Sequence, residues 1–127
     1  MSSVVLDSSA LLALLNKEPG IGRVREVLPD SAMSTVSLSE VVAKLAEEGV
    51  PMENIRSVLT ALPMEIVLFD SEQAYNTGLL RPETKNAGLS LGDRACLNLA
   101  MLLGVPAVTA DRQLEVASTR VEVEFIR

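Results

Sequence analysis

Short apolar runs alternate along the chain with segments whose apolar positions recur every three or four residues. The runs are Val4 to Leu6, Ala32 to Thr35, Glu65 to Phe69, Ala107 to Thr109 and Val121 to Phe125, and most are continuous instead of alternating in and out. Strands that read this way belong to a parallel sheet covered on both faces. Helical period marks Ser9 to Leu15, Ile21 to Leu28, Leu38 to Glu48, Met52 to Leu62, Ser71 to Leu80, Leu91 to Leu103 and Arg112 to Ala117. Breakers fall between these elements: Pro19-Gly20, Gly49 with Pro51, Pro63, Arg81-Pro82, and Gly104 with Pro106. Arg81 to Gly88, polar and turn-rich, reads as a surface connection ahead of a long helix. The expectation is an α/β fold with a parallel sheet, in a single domain spanning residues 1–127.

Composition narrows the chemistry. With no histidine and one cysteine, Cys96, the chain has neither a nitrogen-and-sulfur zinc site nor a histidine-based triad. A bound metal would have to be a hard, oxygen-seeking ion such as Mg²⁺ or Mn²⁺. The net charge of −6 has the wrong sign for holding a polyanion through the overall field, so a nucleic acid would need local basic patches, metal ions or both. Aromatic residues, at 2%, are too few for a base-stacking platform. No stretch has the apolar length of a membrane span and no charged-then-apolar leader opens the chain, so a soluble, cytoplasmic protein with no membrane partner is expected.

In a parallel sheet with right-handed crossovers, the carboxyl ends of the strands and the amino ends of the following helices share one rim, where ligands bind. Four acids fall there. Asp7 follows the first strand, Glu40 lies in the first turn of the helix after the second, Asp93 opens the long helix, and Asp111 closes VPAVTAD. Each has a structural reading as well: Ser37 with Glu40 and Ser90 with Asp93 match the capping-box spacing, while Asp7 and Asp111 suit N-caps. Asp93 shares an apolar stripe with Cys96, Leu97 and Ala100, an anomalous place for a charge. Glu40 points away from the stripe Leu38, Val41, Val42 and Leu45, so periodicity alone makes it a surface residue.

If the first and fourth strands are neighbours, the crevice opens between Asp7 and Asp111. Asp70, on a strand two places from the first, would stand roughly 10 Å off and is excluded. Two carboxylates about 5 Å apart repel by about 3 kcal/mol at an effective dielectric near 20. Protonation relieves that, and so do divalent ions, which can also orient and deprotonate a water and offset charge on a phosphodiester.

VVLDSSALLAL, STVSLSEV, LSLGDRACLNLA and VPAVTADRQL, in this order across essentially the whole chain, resemble the PIN-domain nucleases, in particular the VapC-type toxins of toxin–antitoxin pairs. LGDRACLNLA is the most specific of these stretches. The resemblance implies a three-layer α/β/α sandwich with a central parallel sheet in order 3-2-1-4-5. It implies that Asp7, Glu40, Asp93 and Asp111 hold Mg²⁺ or Mn²⁺ for cleavage of RNA, and for Glu40 it is the whole argument. It makes Ser9 and Thr109 groups that orient carboxylates or waters, beside their readings as a helix cap and a β-branched strand residue. Where many members carry an aromatic residue after the last acid this chain has Leu114, and Glu115 offers a further acid there. Arg94 and Arg112 would face the scissile phosphate or pair with a carboxylate, and pairing is the ordinary duty. Members commonly form homodimers and are silenced by an antitoxin that covers the groove. The aliphatic residues from Val41 to Leu62 serve such a dimer face or, by default, the core.

Two other classes remain for comparison. A PIN-like module that binds RNA or protein without cutting would keep the fold but need not keep all four acids. A receiver that accepts a phosphoryl group on aspartate expects an acidic pair after the first strand and a lysine after the last; VVLD has one acid and VEVEFIR no lysine.

Overall fold

Five parallel strands make one sheet in the order β3-β2-β1-β4-β5, seen in a computed structural model that describes residues 2–127. The strands are β1 (Val4–Leu6), β2 (Ser31–Ser34), β3 (Glu65–Val67), β4 (Ala107–Thr109) and β5 (Val123–Phe125). β1 is the middle strand, with Val5 beside Ala32 of β2 on one side and Ala107 of β4 on the other. The three central strands are buried at every position, the polar ends Ser31, Ser34 and Thr109 included, whereas β3 exposes Glu65 and Ile66 at an edge.

Successive strand residues serve opposite faces. Val4, Leu6, Met33 and Val108 pack with α1 (Ser8–Leu15), α2 (Ile21–Val27), α3 (Thr35–Glu47) and α4 (Met52–Thr60) through Leu11, Val24, Val41 and Ile55. Val5, Ala32 and Ala107 pack on the other face against Leu89, Leu114 and residues Cys96, Leu97 and Leu99 of α7 (Leu91–Leu103). The result is the three-layer α/β/α sandwich in order 3-2-1-4-5. Among the described residues no helix is long and apolar enough to cross a membrane.

Several boundaries differ from the sequence pattern for local reasons. β2 stops at Ser34 because that side chain accepts a hydrogen bond from the Val36 N–H at 3.1 Å and starts α3, three residues before the expected Leu38. β3 stops at Val67, and the Phe69 N–H donates to Thr35 Oγ1 at 3.1 Å instead of to the sheet. The stretch Arg81 to Gly88, read as a plain connection, contains the short helix α6 (Arg81–Thr84) after α5 (Ser71–Leu79). Pro82 is tolerated in its first turn, where no N–H is needed, and Thr84 is buried with its hydroxyl donating to Leu80 O at 2.8 Å. Arg112–Ala117 winds as a 3₁₀ helix instead of an α-helix.

Candidate active site

Asp7 follows β1 in extended conformation, and its N–H still donates to Val108 O at 2.9 Å, so the backbone has not left the sheet. It occupies the N-cap position of α1 but its side chain makes no capping bond. Instead Oδ2 accepts from Ser9 Oγ at 2.8 Å and from Thr109 Oγ1 at 2.9 Å. Ser9 Oγ in turn accepts from the Ala110 N–H, and Thr109 Oγ1 from the Asp111 N–H, each at 2.9 Å. The two hydroxyl oxygens lie 3.0 Å apart, and directing each proton to Oδ2 gives that oxygen two donors while each hydroxyl oxygen accepts from its N–H. Thus Ser9 is not spent on capping α1, and Thr109 is more than a β-branched filler. The carboxylate is 1% exposed, yet among the described residues its second oxygen, Oδ1, has no partner.

The other three acids stand around it. Asp93 and Ser90 form the capping box of α7: the Ser90 N–H donates to Asp93 Oδ2 at 2.9 Å and the Asp93 N–H to Ser90 Oγ at 3.1 Å. Glu40 is half-buried, its Oε1 accepting from Ser8 Oγ at 3.0 Å and its Oε2 more distantly from Ser90 Oγ at 3.5 Å. The expected Ser37–Glu40 capping box does not form, because Ser34 caps α3 and Ser37 is buried one turn in. Asp111 caps the 3₁₀ helix, accepting from the Gln113 N–H at 2.9 Å. Leu114 is fully buried and Glu115 is exposed.

Burial raises the Asp7 carboxyl from an ordinary value of 3.8 to about 6; the Ser9 and Thr109 hydroxyls oppose this, while the charges of Asp93 and Glu40 add to it. Glu40 is raised mainly by burial and then by Asp93, against the pull of Ser8 and Ser90. Asp93 is raised by burial and by Asp111, against the N–H and hydroxyl of Ser90 and the charge of Arg94. Glu40, Asp7, Asp93 and Asp111 therefore form one electrostatic neighbourhood. Directly behind it the buried Cys96 thiol is pushed well up and stays protonated.

An all-oxygen donor set with a bare, buried Oδ1 suits a hard divalent cation in kind. In placement the acids keep apart, as uncompensated anions do: among the described residues no three stand close enough to hold an ion where they are. Asp70, excluded from the site, is a cap: three residues past β3, its Oδ1 accepts from the Gln73 N–H at 2.9 Å at the start of α5. The two arginines depart from the pairing expected of them. Arg94 donates to Thr77 O at 3.3 Å on α5, and Arg112 lies 4.3 Å over the Phe125 ring and donates to Arg127 O at 2.8 Å. Neither makes an ion pair among the described residues.

Thr109→Val keeps the shape but removes one donor from Asp7 and one acceptor from Asp111. It should destabilise the fold by about 1–3 kcal/mol at pH 7 in a denaturant titration. The loss should shrink at pH 4, where Asp7 carries a proton.

The family model for the PIN domain matches residues 4–119. The chain belongs to the PIN domain family. This PIN domain is similar in fold to a chain of a toxin–antitoxin complex from Klebsiella pneumoniae, at 21% identity and a TM-score of 0.77 over 98% of each chain. It is also similar to a chain of DNA-bound VapBC from Salmonella typhimurium, at 22% identity and a TM-score of 0.76 over 100% of each. A third likeness is to VapBC-5 from Mycobacterium tuberculosis, at 22% identity, a TM-score of 0.63 and 98% of each chain. A comparison with curated proteins gave no match.

The sequence reading passed over Ser8, the hydroxyl that holds Glu40, and gave Ser90 only its capping duty. Neither carries a signal of its own, since serines beside helix starts are ordinary.

Proposed function

We propose that this PIN domain is a divalent-metal-dependent endoribonuclease and the toxin of a toxin–antitoxin pair. The observation that supports it most is Asp7, buried among acids from three other parts of the chain, with one oxygen held by two hydroxyls and the other bare. In this reading Asp7, Glu40, Asp93 and Asp111 hold Mg²⁺ or Mn²⁺, which when bound supplies a water activated for attack and positive charge against the phosphate.

The chain's own residues prepare that chemistry. Ser9 and Thr109 fix the Asp7 carboxylate through Oδ2 and leave Oδ1 to meet a cation. Ser8 and Ser90 hold Glu40, and the capping box ties Asp93 to the first turn of α7. Arg112, exposed beside Asp111, is the better placed arginine to meet a substrate phosphate, because Arg94 is half-buried. With a net charge of −6 the chain gains little RNA affinity from its overall field, which leaves attraction to the bound ions and to such single cations.

The toxin reading draws on fold relatives that are toxin–antitoxin complexes. It extends to a cytoplasmic homodimer silenced by a cognate antitoxin, whose arginine would find a bidentate seat among these carboxylates. The test is cleavage of RNA by the purified chain with and without Mn²⁺, beside Asp7→Asn and Asp93→Asn, and sequencing of new RNA ends after brief expression in cells. Cleavage that needs both the ion and the acids supports the reading. One observation favours a second reading, a PIN-like module that binds RNA or protein without cutting: the acids are not gathered tightly enough for an ion as they stand. Binding without new ends would select it. Asp70→Ala is the control, expected to lose about 1 kcal/mol of stability with its cap and to cut RNA at an unchanged rate.

A further inference from the structure

Gly92 sits in the first turn of α7, buried, next to Asp93. Its backbone is not in the left-handed region that favours glycine, and within a helix any ordinary residue would be the better former. Conformation therefore does not call for a glycine here. Space does. A methyl group at this position would overlap Oε1, Cδ and Oε2 of Glu40 together. The Glu40 carboxylate lies against the bare Cα of residue 92, with Ser8 of α1 donating to it at 3.0 Å and Ser90 standing at 3.5 Å.

We infer that Gly92 is a positioning residue, whose missing side chain admits the Glu40 carboxylate to the acidic rim. Glu40 lies at the border of the buried row Ser37, Val41 and Leu45, so the side chain must reach sideways across the start of α7 to approach Asp93. Only a surface without a Cβ leaves it that path. The obstacle that a larger residue would meet is the far end of a flexible side chain, so α3 and α7 need not shift. The glutamate would give way and swing toward solvent. Residue 92 thus decides whether the rim presents three acids or four, an assignment that rests on the proposed nuclease reading for its bearing on metal binding.

The test compares the full chain with Gly92→Ala, Glu40→Gln and the double variant. Melting in EDTA should place Gly92→Ala at or above the wild-type Tm, since alanine is the better helix former. Mn²⁺ titration followed by electron paramagnetic resonance should show affinity reduced about tenfold in Gly92→Ala. Glu40→Gln should show a similar loss, and the double variant no more than either single change. A metal-free crystal structure of Gly92→Ala should show the carboxylate gone from Ser8. The inference is overturned if the carboxylate keeps its place between Ser8 and Ser90, or if the two losses add in full. If the wild type neither binds Mn²⁺ nor cuts RNA, the nuclease reading fails by itself. The crystal structure still decides the role of Gly92: a displaced carboxylate upholds it and an unmoved one overturns it.

Discussion

Asp7→Asn should abolish RNA cleavage and, in the same protein without divalent ions, raise the melting temperature at neutral pH. Both effects have one cause. The Asp7 carboxyl is raised from 3.8 to about 6, so the folded chain binds its proton more tightly than the unfolded chain. That contribution to stability is fully present below about pH 4, is lost as pH climbs toward 6, and is absent at pH 7. There the folded protein carries a buried charge at a cost of roughly 3 kcal/mol relative to the protonated form. Asparagine removes the charge and keeps an oxygen to accept from Ser9 and Thr109, although its amide replaces Oδ1 without a partner. A net gain of about 1–2 kcal/mol is expected after that deduction. Cleavage should fall by more than about a hundredfold, since even groups that merely support a metal ligand are worth ten- to a hundredfold. Melts in EDTA at pH 7 and pH 4 check the stability half, and the gap between the proteins should close at pH 4. An Asp7→Asn protein that melts lower at pH 7 and still cuts RNA would sink the proposed role of Asp7.

The second large effect is expected from the ion itself. Three carboxyls, Asp7, Glu40 and Asp93, whose proton affinity is raised by burial and then by neighbouring acids, are an unfavourable arrangement until a cation joins them. A ligand at a hundred times its dissociation constant adds about 2.7 kcal/mol to the folded state. For a chain of this length that amounts to a rise of about 10 °C in Tm. Mn²⁺ and Mg²⁺ should each give such a rise at pH 7 in calorimetry. The rise should fade below about pH 6, because ligands must lose their protons to bind metal. In Asp7→Asn it should be nearly gone. Equal shifts in wild type and variant would place the ion elsewhere on the molecule.

Much of this arrangement was legible in the residues. The central strands announced themselves as apolar runs because both of their faces are covered. Asp93 was visible as a charge on an apolar stripe, and it proves 8% exposed. Asp70, set aside by strand spacing, caps α5. The neighbouring of β1 and β4, on which the crevice depends, entered as a condition and is the observed pairing.

Glu40 shows where pattern reading stops. Leu38 and Val42 drew the predicted core face toward themselves, but they line a surface groove with Met52 and Ile66. The buried row of α3 is Ser37, Val41 and Leu45, which turns the helix so that Glu40 lies at the border instead of facing straight out. A hydroxyl in place of an apolar residue hid that rotation. The helix Arg81–Thr84 was hidden by Pro82, which a sequence shows as a breaker whether it ends an element or begins one. The arginines were misjudged because cation–aromatic and carbonyl contacts compete with ion pairs and leave no mark in spacing.

The turn at Gly88, between α6 and α7, divides the proposed centre evenly: the chain before it supplies Asp7 and Glu40, the chain after it Asp93 and Asp111. Neither portion owns enough negative oxygen to work alone. A single nick there would leave two silent pieces, and any function recovered on mixing them would report that the sheet had knitted itself back together.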